Sequence, residues 1–101
     1  MNGIRFEWDE AKNRANMAKH GISFRRATQV FDDPHYISVP ERIEDGEQRW
    51  QAFGLVEGHL LLMAAHTIRE QQDDGTIEVV RIITARKATK HERRLYEEGN
   101  R

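Results

Sequence analysis

Apolar residues recur along this chain in two different rhythms, and the rhythm changes at Pro34. The segment Arg5 to Trp8 reads as a short first strand. Asp9 is then placed to cap a helix running through Ala11, Ala15 and Ala18, with Gly21 at the position where helices commonly end. Ser23 caps a second helix, in which Phe24, Ala27, Val30 and Phe31 recur at helical spacing until Asp33-Pro34 stops it. The two helices predict a helical hairpin.

Beyond Pro34 the segments Tyr36 to Val39, Arg49 to Val56, His59 to Thr67 and Ile77 to Thr84 are rich in β-branched, aromatic and aliphatic residues, with turn residues between them. They predict an antiparallel meander with a tight turn at Glu57-Gly58 and a longer polar loop that includes Asp73-Asp74-Gly75. The unbroken apolar run Leu60 to Ala65 fits a central strand covered on both faces. Thr89-Lys90-His91-Glu92 has the form of a capping box, so a third helix is expected from about Lys90 to Glu98, ending at Gly99. The predicted order is β-α-α-β-β-β-β-α, an α+β fold in which an antiparallel sheet packs against the helical hairpin and a C-terminal helix.

Composition narrows the class. The 101 residues suit a single domain spanning 1–101, and 38% hydrophobic with 33% charged residues describes a foldable chain with a densely ionic surface. Met1 to Glu10 lacks the apolar core of a signal peptide, and Leu60 to Ala65 is far shorter than the roughly 20 residues that span a bilayer. No membrane association is expected. The absence of cysteine excludes disulfides and thiol nucleophiles and agrees with a cytoplasmic protein.

A net charge of −1 conceals a strong asymmetry. Val80 to Arg94 carries a local charge of +5, from Arg81, Arg86, Lys87, Lys90, Arg93 and Arg94 against Glu92, whereas Gln29 to Gly58 carries −5. Such a distribution suits a basic side that meets a polyanion or an acidic partner, and it equally suits two solvated faces.

Strand alternation puts Arg81 with Val79 and Ile83, opposite Val80, Ile82 and Thr84. A guanidinium among apolar neighbours needs an internal ion-pair partner or access to a groove. Arg86 and Lys87 fall where this strand gives way to the capped helix, a junction at which side chains can converge, and His66 and Arg69 at the end of the preceding strand join them only if the Glu70 to Thr76 loop folds back favourably. The five histidines (His20, His35, His59, His66 and His91) lack metal-ligand spacing, and neither a phosphate-binding glycine loop nor a serine-nucleophile elbow is present. No metal or cofactor is expected. A site built from Arg, Lys and His suits RNA cleavage, because the ribose 2′-hydroxyl is a built-in nucleophile and the protein need only move protons and stabilise phosphorane charge. Trp8, Trp50 and Tyr96 are either base-stacking platforms or core aromatics.

Four separated blocks carry a family resemblance: Phe6 to Lys12, Lys19 to Phe24, Val30 to Pro34, and Arg81 to Ala88 with Glu92 to Tyr96. Together they resemble the BrnT toxins, with Thr84 standing where that family usually has Ser. The resemblance implies a RelE/ParE-like fold, ribonuclease activity that blocks translation, and a BrnA-type antitoxin with a ribbon-helix-helix domain. It also implies that the toxin meets operator DNA only through the antitoxin complex, which leaves room for a dimer within it. On the matching positions it implies a catalytic group of Arg81, Arg86 and Tyr96, with His66 and Arg69 added to them, and an RNA-binding group of Lys87, Lys90, Arg93 and Arg94. A ParE-like toxin acting without catalysis on a protein such as a topoisomerase is the alternative that this fold leaves open.

Overall fold

The computed structural model describes residues 3–72 and 76–100, so the expected Asp73-Asp74-Gly75 loop lies outside the described residues. The elements follow in the order β1 (Gly3–Glu7), α1 (Glu10–His20), α2 (Phe24–Ala27), a 3₁₀ segment (Thr28–Asp32), β2 (Ile37–Glu44), β3 (Glu47–Val56), β4 (Leu60–Gln72), β5 (Thr76–Lys87) and α3 (Lys90–Gly99). The caps are those the sequence encodes. The Asp9 carboxylate accepts from the Lys12 N–H, Ser23 Oγ accepts from the Arg26 N–H, and Gly21 ends α1 in the left-handed conformation. Thr89 and Glu92 form both hydrogen bonds of a capping box.

Besides β4 running on to Gln72 and β5 to Lys87, beyond the expected ends at Thr67 and Thr84, three features differ from expectation. The second helix of the expected hairpin makes one α-helical turn and continues as 3₁₀. β2 runs on to Glu44 and meets β3 through Asp45-Gly46; both residues have positive φ, as in the Glu57-Gly58 turn, and this geometry matches the twist of a hairpin. The sheet is mixed rather than antiparallel. Its strand order is β1-β5-β4-β3-β2, and β1 lies parallel to β5 along the edge that the meander leaves unpaired. An open row of backbone donors and acceptors needs a partner, and β1 supplies one.

The sheet is covered unequally on its two faces. On the first, Ile22, Phe24, Ala27 and Val30 pack against Ala52, Leu62, Ala64, Val80, Ile82 and Ala85. The 3₁₀ segment approaches so closely that a Cβ on Gly54 would stand 2.6 Å from the Val30 carbonyl oxygen. On the second face Phe53, Leu61, Met63 and Ala65 are roofed by Tyr96 and Leu95 of α3. Beyond that roof the same face continues over β4, β5 and β1, where Arg69, Arg81 and Glu7 meet.

Candidate active site

A bulge in β5 decides which basic residues share this face. Ala65 pairs with Thr84 but His66 pairs with Ile82, so Ile83 is the extra residue. Arg81 and Arg86 are five positions apart and would face opposite ways in a regular strand. The inserted residue turns Arg86 onto the face of Arg81, where it meets Glu92 of α3.

Arg81 is in register with Glu7 of the parallel strand β1 and donates from Nη1 to Glu7 Oε2 at 3.0 Å. From β4, Arg69 donates from Nη2 to Glu7 Oε1 at 2.6 Å. The Arg69 hydrogen bond, reinforced by the charges of both guanidiniums, holds the Glu7 carboxyl below the ordinary glutamate range against the opposing effect of burial. The cluster is open to solvent: the side chains of Arg69, Arg81 and Glu7 are 54%, 44% and 33% exposed. Arg5, two residues before Glu7, bonds to Gln71 of β4.

Arg86 is held more firmly. Its two terminal nitrogens donate to the two Glu92 oxygens at 2.8 and 3.0 Å, and Glu92 Oε1 also accepts the Thr89 N–H of the capping box. The Arg86 hydrogen bond leads the effects that lower the Glu92 pKa. This fork–fork pair fixes the start of α3 to the end of β5. Lys87, Lys90, Arg93 and Arg94 are exposed around this junction, and none forms an ion pair among the described residues.

His66 is elsewhere. It pairs in register with Ile82 and lies edge-on to Phe31 with ring centroids 5.1 Å apart, which places it on the opposite face of the sheet from Arg81. Its side chain is buried, with the residue 1% exposed, and neither ring nitrogen has a hydrogen-bond partner. Burial pushes its pKa down to about 4. Tyr96 faces the arginine side but is tied to the core: its hydroxyl donates to Asp33 Oδ2 at 2.6 Å, and burial followed by this bond raises its pKa to about 12. The tyrosine also borders a cavity of about 420 Å³ under α3, lined by His35, Leu55, Leu61 and Arg93 among others. Trp8 packs edge-on against Phe24 and donates its indole N–H to Glu10, which gives it a structural setting.

The structure therefore brings Arg69, Arg81 and Arg86 to one sheet face, with Lys87 at its margin, and leaves His66 behind the sheet. Sequence reasoning overlooked Glu7 and Asp33. Glu7 stands inside the Phe6 to Lys12 block, but its significance depends on the parallel β1–β5 register. Asp33 reads in sequence as a helix stop, yet its carboxylate also accepts from Tyr96, the Leu55 N–H and the His35 N–H.

Comparison with known proteins agrees with this architecture. No curated protein is significantly similar to the chain. The crystal structure of the Brucella abortus ribonuclease toxin, BrnT, superposes with a TM-score of 0.61 at 23% identity, covering 89% of this chain and all of that one. The family described as the ribonuclease toxin BrnT of type II toxin–antitoxin systems matches residues 8–92. The chain thus belongs to the BrnT family, the endoribonuclease toxins of type II toxin–antitoxin systems.

Proposed function

We propose that the chain stops translation by metal-independent cleavage of RNA on the sheet face that carries Arg69 and Arg81, and that a BrnA-like ribbon-helix-helix antitoxin silences it by covering this face. The observation that carries the reading is the convergence of two solvent-facing arginines on one point, each within 3.0 Å of Glu7. Each guanidinium engages Glu7 through one terminal nitrogen, and its remaining N–H groups are directed donors for phosphate oxygens. Charge that develops on a phosphorane is best stabilised by donors already fixed in place.

Arg86 acts through position, since its fork is already closed on Glu92. Lys87, Lys90, Arg93 and Arg94 stand exposed around the Arg86–Glu92 junction, as cations that draw the RNA backbone in. His66 is left out of the proton-transfer set because it is sealed from solvent. The 2′-hydroxyl mechanism needs no metal. A basic sheet face beside a C-terminal helix also supports the RelE-like grouping. The rest of the reading is a single domain over residues 1–101, acting in the cytoplasm where RNA is translated, with operator DNA met only through the antitoxin complex and a dimer within that complex. The topoisomerase-directed alternative has no specific observation in its favour.

The test is incubation of the purified chain with RNA in EDTA. Cleavage persists in the chelator and falls steeply in Arg81→Ala and Arg69→Ala variants that retain their melting temperatures. Intact RNA with the wild type, or cleavage unchanged in Arg81→Ala, overturns the reading.

A further inference from the structure

Attack by a ribose 2′-hydroxyl requires a base within hydrogen-bond reach of that proton. His66 is buried behind the sheet, the Tyr96 hydroxyl is committed as a donor to Asp33, Glu92 is closed on Arg86, and His91 stands on α3 beyond the Arg69–Arg81 cluster. One carboxylate does stand among the exposed arginines. Glu7 closes β1 with its side chain on the open face, directly opposite Arg81 and bridged to Arg69. Arg5 precedes it on the same face, and Asp9 follows close enough to feel the charge of Arg81.

We propose that Glu7 is the catalytic base, taking the 2′-hydroxyl proton while Arg69 and Arg81 hold the adjoining phosphate; this rests on the RNA-cleaving reading of that face. The two guanidiniums fix the carboxylate from both sides and keep spare N–H groups for phosphate, so base and anion site are one assembly. The same pairing keeps Glu7 ionised when the site is empty. When a phosphate shares the guanidiniums, their field on the carboxylate weakens and its proton affinity rises at the moment a base is needed. In the step itself the 2′-OH proton passes to a Glu7 oxygen, the O2′–P bond forms, the P–O5′ bond breaks and the departing O5′ takes a proton from water. The products are a 2′,3′-cyclic phosphate and a 5′-hydroxyl, and Glu7 then returns its proton to solvent.

The experiment compares wild type, Glu7→Gln and Glu7→Asp on RNA in EDTA, with end-group analysis of the products and binding to a 2′-O-methyl RNA that cannot react. Removal of a general base lowers the rate by about 10²- to 10⁴-fold. Glu7→Gln is expected to show that loss while binding the unreactive RNA as tightly as wild type or more so, because a negative charge has left the surface. Glu7→Asp recovers part of the rate. The acid limb of the wild-type pH–rate profile disappears in Glu7→Gln. Cleavage by Glu7→Gln within a few-fold of wild type, or loss of binding in step with loss of cleavage, overturns the assignment while leaving the RNA-cleaving reading intact. A wild type that leaves RNA whole overturns that reading, and Glu7 with it.

Discussion

The side-chain amide of Asn16 occupies both backbone groups of Ala85, donating to its carbonyl oxygen at 2.8 Å and accepting from its N–H at 3.2 Å. A second hydrogen of the same amide reaches the Ile22 carbonyl at 2.9 Å. β1 pairs with β5 only as far as Arg81, so at Ala85 a side chain from α1 does what a neighbouring strand would otherwise do. Asn16→Ala strips partners from three buried backbone groups, and a destabilisation of about 2–3 kcal/mol is expected. Urea denaturation checks it, and an unchanged midpoint would show that water replaces the amide freely.

The Tyr96 hydroxyl and Asp33 form a second lock, between α3 and the end of the 3₁₀ segment. With its pKa raised from 10.0 to about 12, Tyr96 keeps its proton in the fold after it would lose it in the unfolded chain. Its contribution is complete below pH 10 and disappears as the pH rises towards 12. Ultraviolet titration should show a tyrosine component that ionises only in strong alkali. Tyr96→Phe should remove the late component and cost about 1.5–3 kcal/mol, the range for a hydrogen bond to a charged group.

The pair of Arg86 and Glu92 sets the acid side. Glu92 has a lowered pKa in the fold, so its stabilisation is present above its unfolded value near 4.5 and is lost as the pH falls through the lower folded value. Below pH 4.5 the wild type should lose stability faster than Glu92→Gln, while being the more stable of the two at neutral pH. Parallel melting curves across this range decide the matter.

His66 reverses the usual histidine behaviour. Its folded pKa of about 4 lies below the unfolded 6.5, so the unfolded chain binds the proton first and stability declines as the pH falls between these values. Proton NMR should find one imidazole that does not titrate near neutrality. His66→Leu, which removes two buried ring nitrogens without partners, should hold or raise the melting temperature and leave RNA cleavage within a few-fold of wild type.

The exposed cations of α3 are expected to govern affinity rather than turnover. Replacing Lys90, Arg93 and Arg94 together by Gln should weaken single-stranded RNA binding and flatten its dependence on log salt by about 0.7 for each phosphate that these side chains neutralise. Fluorescence anisotropy over a salt series measures both effects. An unaltered slope would place the RNA elsewhere.

Local order was legible in the sequence wherever a short-range signal carried it. Asp9, Ser23, Thr89 and Glu92 announced their caps, and the order of all the main elements followed from the two hydrophobic rhythms. Asp45-Gly46 carries an equally clear turn signal, and reading it would have extended the predicted β2 beyond Val39.

The site was legible only in part, because it depends on contacts between residues far apart in the chain. Arg69 and Arg81 each lie more than 60 residues from Glu7, and only the parallel β1–β5 register brings the three together. A strand's two-residue period is read from sequence, but it assumes an unbroken ladder. The bulge at Ile83 breaks that assumption and turns Arg86 towards α3, whereas the unbroken alternation of β4 puts His66, three residues before Arg69, on the far side of the sheet. Residue types, caps and rhythm were determined by the sequence itself, since each is a preference of a few neighbouring residues. Which charges meet, and on which face, was decided by strand pairing, since only the folded sheet fixes distances across the chain.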